Sequence, residues 1–403
     1  MPRESRAKEW RILLSGELRE RRVTDGNPRV QYAGYIFAPT GYGTAARAYI
    51  HALDCVGIEL SVANRSKRTD RMVVDPLIIS LLDRPLAAQL HICNSEPLDA
   101  LAFASIARRL IMQTAWEADR LPEKSVAALR DVLEVWVPSS YNAEVFRQQI
   151  DAPVFQLPHP VYTREVGPEV VAALNRGLNL KESDFLFVSV ATWQERKNLP
   201  EVIEAFLRAF PDERDAVLAI KTRFEFVHQR VALAQIDEAM KRAGAAHGPA
   251  VRSRIRICDG IWNEEALTAL MQRADCYVSL HRGEGWCYPL FDTACRGIPV
   301  VSTGYSGPMD YLDARYHQLV KYELTTPDME RKPGWSPFTA NMQWAAPDVE
   351  DAARKMRMIY DDRTEALEKA RAGAAALQQR FSAQAVGEMA RERLMELVNK
   401  LDG

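Results

Sequence analysis

The chain has 403 residues, 47% hydrophobic and 26% charged, with a formal net charge of −2. That composition supplies two or three packed cores, and it excludes a disordered chain or one that binds nucleic acid by charge. No apolar run approaches the roughly 18 residues a membrane helix needs, and the six cysteines form no CxxC pair. We therefore expect a cytoplasmic, soluble protein with reduced thiols and no bound metal.

Residues 1–28 read as an N-terminal arm without the apolar core of a signal peptide. Trp10, Ile12, Leu13, Leu14 and Leu18 stand among arginines. Two readings stay open for them: a helix or arm on the protein's own surface, or an interfacial helix in peripheral contact with the inner membrane surface. From residue 29, apolar runs alternate with helical segments, the pattern of parallel α/β architecture. Strands are predicted over 30–37, 58–63, 90–93, 110–113, 133–137 and 154–157, and again over 185–191, 216–221, 255–258, 276–280 and 299–302. Most runs are continuous rather than alternating, as expected for strands covered on both faces. The proline-rich stretch 158–168 separates the two sets and reads as a linker. Domains are accordingly drawn as 29–160 and 161–381, with helices predicted from 347 and over about 382–403.

Several strand ends carry chemistry. After the first strand, Gly41-Tyr42-Gly43 opens a helix; it fits neither the dinucleotide fingerprint nor a P-loop. Trp116-Glu117 follows the fourth strand, where Glu117 could accept from a hydroxyl. After the fifth, Ser139 or Ser140 reads as a helix cap. His159 lies in the linker. In the second set, Arg196-Lys197 follows its first strand, where ligands gather in open parallel sheets, and suits phosphate oxygens. Lys221 and Ile261 end the next two series, Lys221 as a further charge or a plain surface residue. Finally, His281-Arg-Gly-Glu284-Gly285-Trp286-Cys287-Tyr288 leads from a strand into a helix predicted over 288–296, with Asp292 eight residues after Glu284. Glycines there let a backbone approach closely. A helix N-terminus attracts anions, and a carboxylate beside it suits a polyol. A sugar and a phosphate bound side by side is the local inference.

The segment from Glu284 to Thr303, together with Arg196-Lys197, resembles the E-x7-E region and cation pair of retaining glycosyltransferases of the GT-B fold, glycosyltransferase family 4. Asp292 replaces the second glutamate, and Trp286-Cys287 stands where Phe-Gly is usual. The resemblance implies two Rossmann-like domains facing across a cleft, with the last helix crossing back to the first. It implies hexosyl transfer from a UDP- or GDP-sugar to a glycan, lipid-linked saccharide or small metabolite, without metal or cofactor. Arg196, Lys197 and Glu284 would be catalytic. Gly41, Gly43, Lys221, Ile261, Gly285, Trp286, Cys287, Tyr288 and Asp292 would bind the donor; Tyr42, Glu117 and His159 would face the acceptor. Two alternatives remain: a non-catalytic sugar-nucleotide-binding relative, favoured by the departures at Asp292 and Cys287, and a sugar-nucleotide epimerase of the same fold.

Overall fold

The computed structural model describes residues 26–67, 72–225, 227–244, 249–328 and 337–403. The amphipathic stretch 10–18, with its suggested membrane contact, lies outside the described residues. Among these, no helix is long and apolar enough to cross a membrane.

Two parallel six-stranded sheets organise the chain. The first contains β1 (Arg29–Gly34), β2 (Glu59–Asn64), β3 (Leu90–Asn94), β4 (Leu110–Gln113), β5 (Glu134–Val137) and β6 (Val154–Gln156), in the order β2-β1-β3-β4-β5-β6. The second contains β7 (Phe185–Val190), β8 (Ala216–Lys221), β9 (Ile255–Cys258), β10 (Cys276–Ser279), β11 (Val300–Thr303) and β12 (Gln318–Val320), in the order β12-β11-β10-β7-β8-β9. The continuous apolar runs are explained by packing on both faces. Along β7, Phe185 and Phe187 join the core under helices Leu199–Ala209 and Val349–Asp361, while Leu186 and Val188 join the core under helix Tyr288–Cys295. Each such fully buried side chain contributes roughly 1.5–3 kcal/mol.

The strand order reverses beside β1 in the first sheet and beside β7 in the second, since β1 pairs with β2 and β3 and β7 with β8 and β10. Loops leaving the carboxyl ends at such a reversal splay apart and leave a crevice. The two crevices face each other, and the site is built between them.

The final helix, Ala383–Asp402, returns to the first domain. Its Val386, Ala390, Leu394 and Leu397 join the core of Val30, Ile50 and Leu53. Gly387 is pressed so close to helix Gly41–Cys55 that a Cβ there would lie 2.2 Å from the Ala52 carbonyl oxygen. Arg393 on the same helix pairs with the buried Glu134 of β5, which also accepts from Trp136 Nε1 at 2.9 Å. Among the described residues, three strands escaped the sequence reading: β12 and the two of an antiparallel ribbon, Tyr322–Thr325 with Trp344–Pro347.

Candidate functional site

The loop after β10 is fixed by its own backbone partners. Glu284 N donates to Ser306 Oγ at 3.0 Å, and Gly307 N donates to Glu284 O at 2.9 Å. The Gly307 NH therefore braces the acidic loop and is not free for a ligand. His281 sits fully buried, its Nε2 3.1 Å from Tyr305 O, and burial lowers it to about 4. Cys287 then turns the chain at φ 74°, a left-handed value favouring glycine, which accounts for the glycine usual there in the resembling family. Helix Tyr288–Cys295 follows without a side-chain cap, and Pro289 removes one of its NH groups.

The cations come from the loop after β7. A short turn, Glu195–Lys197, ends on Asn198 at φ 56°, from which helix Leu199–Ala209 departs. Asn198 Nδ2 donates to Leu280 O at 2.9 Å, tying this turn to the acidic loop. Arg196 Nη1 then lies 3.0 Å from Glu284 Oε2, and Lys197 Nζ contacts Glu284 Oε1. Burial would raise the Glu284 carboxyl, but Lys197 and Arg196 hold it at about 2. Glu284 is therefore an anion at neutral pH, with lone pairs beyond the two engaged by cations.

The opposite wall belongs to the first domain. Glu117 Oε1 lies 3.1 Å from Arg196 Nη2, so a single guanidinium joins carboxylates from both domains. The glycines of the acidic loop serve this meeting: a Cβ on Gly283 would lie 1.9 Å from Glu117 O, and one on Gly285 would lie 2.6 Å from Ala115 Cβ. The close approach expected toward a ligand is thus, at these two positions, an approach to the other domain. Gly43 is needed by its own turn, where a Cβ would fall 2.1 Å from Ala38 O, whereas Gly41 has open space. Tyr42 OH lies 3.3 Å from Thr114 Oγ1 on the same wall.

Between the walls lies a cavity of about 560 Å³ lined by every expected catalytic, donor-side and acceptor-side residue except Gly43, including Gly41, Lys221, Ile261 and Asp292. Asp292 Oδ2 pairs with Arg296 Nε at 2.9 Å, while its Oδ1 is buried without a partner and burial raises its carboxyl. Lys221 Nζ donates to Gly260 O at 2.7 Å and Thr222 O at 3.0 Å, above the Trp262 ring. It braces the loop that presents Ile261, which is 64% exposed at the cavity edge. The ring of Trp286 packs into the second-domain core against Phe291, Tyr311 and Phe381, although its Nε1 lacks a partner. Tyr288 stacks on His159 at 4.7 Å, leaving its hydroxyl unpartnered. His159 is itself buried between Tyr49 and Tyr288, held neutral at about 3, with Nδ1 3.0 Å from Tyr49 OH.

Sequence reasoning missed a second interdomain link. Arg47, 1% exposed, places Nη2 3.0 Å from Glu264 Oε1, and the linker's Arg164 places Nη1 2.9 Å from Glu264 Oε2. The available signal was a lone arginine on the apolar face of helix Gly41–Cys55, among Ala45, Ala46, Ala48 and Tyr49. Of the serines, Ser139 caps helix Ser140–Arg147, and Asp310 of the second domain accepts from Ser140 N at 2.9 Å.

Residues 172–323 match the family model described as Glycosyl transferases group 1. No curated protein matches the sequence. Among solved structures, the fold is similar to HepE of Anabaena in complex with UDP and glucose, at 13% identity and TM-score 0.64, covering 92% of this chain and 100% of that one. It is similar to sucrose-phosphate synthase of Thermosynechococcus elongatus at 13% identity and TM-score 0.66, covering 93% and 100%. The pneumococcal O-GlcNAc transferase GtfA, in complex with UDP and GlcNAc, follows at 12% and 0.52, covering 77% and 57%. The two facing parallel sheets are the GT-B fold, and with the matched segment they support a glycosyltransferase.

Proposed function

We propose that the chain moves a hexosyl group from a UDP- or GDP-sugar to a hydroxyl of a saccharide, lipid-linked or small-molecule acceptor, with retention at the anomeric carbon. The observation that carries this reading is the convergence of Arg196, Lys197 and Glu284 at the reversal point of the second sheet. The UDP and glucose named with HepE make UDP-glucose the first donor to try.

The bond from the anomeric carbon to the diphosphate oxygen breaks as the acceptor oxygen bonds to that carbon. The acceptor proton goes to the leaving phosphate, and a nucleoside diphosphate departs. The barrier lies in charge developing on phosphate and ring, so preorganised charges act most strongly there. Arg196 and Lys197 meet the leaving phosphates and take the part a divalent ion plays elsewhere. Glu284 accepts from sugar hydroxyls and steadies the ring. The unpaired Asp292 Oδ1 accepts from a ribose hydroxyl. The loop braced by Lys221 presents Ile261 to the base. Tyr42 and Glu117 face the acceptor, and closure of the two walls excludes water.

The test is a panel of UDP- and GDP-hexoses, with free nucleotide measured with and without saccharide acceptors and the product anomer assigned by NMR. Release from one donor, raised by an acceptor and giving the retained anomer, supports the reading. Nucleotide binding without release from any donor would favour the non-catalytic alternative.

A further inference from the structure

Glu117 occupies the group that the donor needs. Its Oε1 holds Arg196 Nη2 at 3.1 Å while Glu284 Oε2 and Gly283 O take Nη1 at 3.0 and 2.7 Å. Both ends of the guanidinium fork are therefore engaged, one by each domain.

The loop bearing Glu117 is fastened independently of that side chain. Asn142 Oδ1 accepts from Trp116 N at 3.3 Å and its Nδ2 donates to Trp116 O at 2.6 Å. The Trp116 ring lies 5.2 Å from Phe338, and Asp119 Oδ1 accepts from Gln343 N at 2.5 Å. The carboxylate can swing while its backbone stays in place, because it borders the cavity and is 26% exposed. A diphosphate brings more charge to Arg196 than a single carboxylate does, in a geometry the fork accepts equally well.

We propose that Glu117 is a donor-gated acceptor ligand: the arriving diphosphate displaces it from Arg196, and the freed carboxylate then accepts a hydroxyl of the acceptor beside Tyr42 and Thr114. This rests on the donor site proposed above. It imposes an order, donor before acceptor, because the acceptor's ligand is tied up until the diphosphate is bound. Burial and the Glu284 charge both disfavour an unpaired Glu117 anion, so the released carboxylate demands a new hydrogen-bond donor. An acceptor hydroxyl supplies one.

Calorimetric titration of UDP and GDP into the full-chain wild type, Glu117→Gln and Arg196→Ala provides the test. Removing the competitor should tighten nucleotide binding in Glu117→Gln by about tenfold, with an unchanged melting temperature, while Arg196→Ala should bind far more weakly than wild type. The carboxyl carbon-13 resonance assigned through Glu117→Gln should titrate at higher pH with UDP bound than without, since Arg196 no longer pairs with it. Unchanged or weaker nucleotide binding in Glu117→Gln, or an unmoved titration on adding UDP, would overturn the inference. A wild type that binds neither nucleotide would remove the donor site itself, and this inference with it.

Discussion

Gly283 and Glu117, on different domains, are in such close backbone contact that a Cβ on Gly283 would sit 1.9 Å from the Glu117 carbonyl oxygen. Neither partner is a flexible tip, since Gly283 O accepts from Arg196 and the Trp116 backbone next to Glu117 is clamped by Asn142. Gly283→Ala should therefore push the walls apart, at about 1–3 kcal/mol against the closed form. Transfer should fall about tenfold or more, with a larger solution radius of gyration and little change in melting temperature. Wild-type turnover and dimensions would show that closure at this point does not matter.

Asp292 carries a buried oxygen without a partner at the cavity wall, and its helix keeps the other oxygen on Arg296. A ribose hydroxyl would satisfy that oxygen, and the ribose does not react. Asp292→Asn should raise the donor KM by several-fold and spare kcat. Steady-state kinetics over a range of donor concentration separates the two, and a loss confined to kcat would move Asp292 to the reacting sugar.

Acid should weaken the fold well before most carboxylates titrate. Burial lowers His159 to about 3 and both His281 and His317 to about 4. The unfolded chain takes up protons near pH 6.5, where these folded imidazoles refuse them. Stability is thus complete above about 6.5 and falls as pH drops toward 4; the depressed Glu284 continues the loss from about 4.5 toward 2. Urea unfolding between about pH 7 and 5 should show proton uptake on unfolding. A flat or rising stability on acidification would contradict these burial assignments.

Chelation should leave transfer intact, because on the proposed reading Arg196 and Lys197, fixed in the turn after β7 and paired with Glu284, neutralise the diphosphate. Turnover abolished by a chelator and restored by manganese would show that these cations do not suffice.

Much of this architecture was legible because strands covered on both faces must be apolar throughout. Residues 110–113, 216–221 and 255–258 were predicted as strands with the bounds they have. β12 was missed because three residues, Gln318–Val320, carry no periodicity, and Tyr322–Thr325 because it exposes Leu324. At the site, the order strand, acid, helix brought Glu284 forward together with the family resemblance, and Arg196-Lys197 stood out as a cation pair at a strand end. Arg47 stood out only as a lone arginine on an apolar helix face; its pairing with Glu264, and that of Arg164, depends on how two domains meet, and local pattern does not encode that. The same cause hid the use of Gly283 and Gly285: a sequence marks a close approach without naming what approaches.

Glu284→Gln is the measurement closest to the central claim. Glutamine keeps the shape but loses the charge that Lys197 and Arg196 stabilise and that the proposed mechanism places beside the sugar ring. With the donor identified by nucleotide release, kcat should fall by roughly 2–4 kcal/mol of transition-state stabilisation, a factor of about 30 to 1,000, with a smaller change in donor KM. A kcat within about twofold of wild type would contradict the account, leaving Glu284 as a brace for two cations and no part of the chemistry.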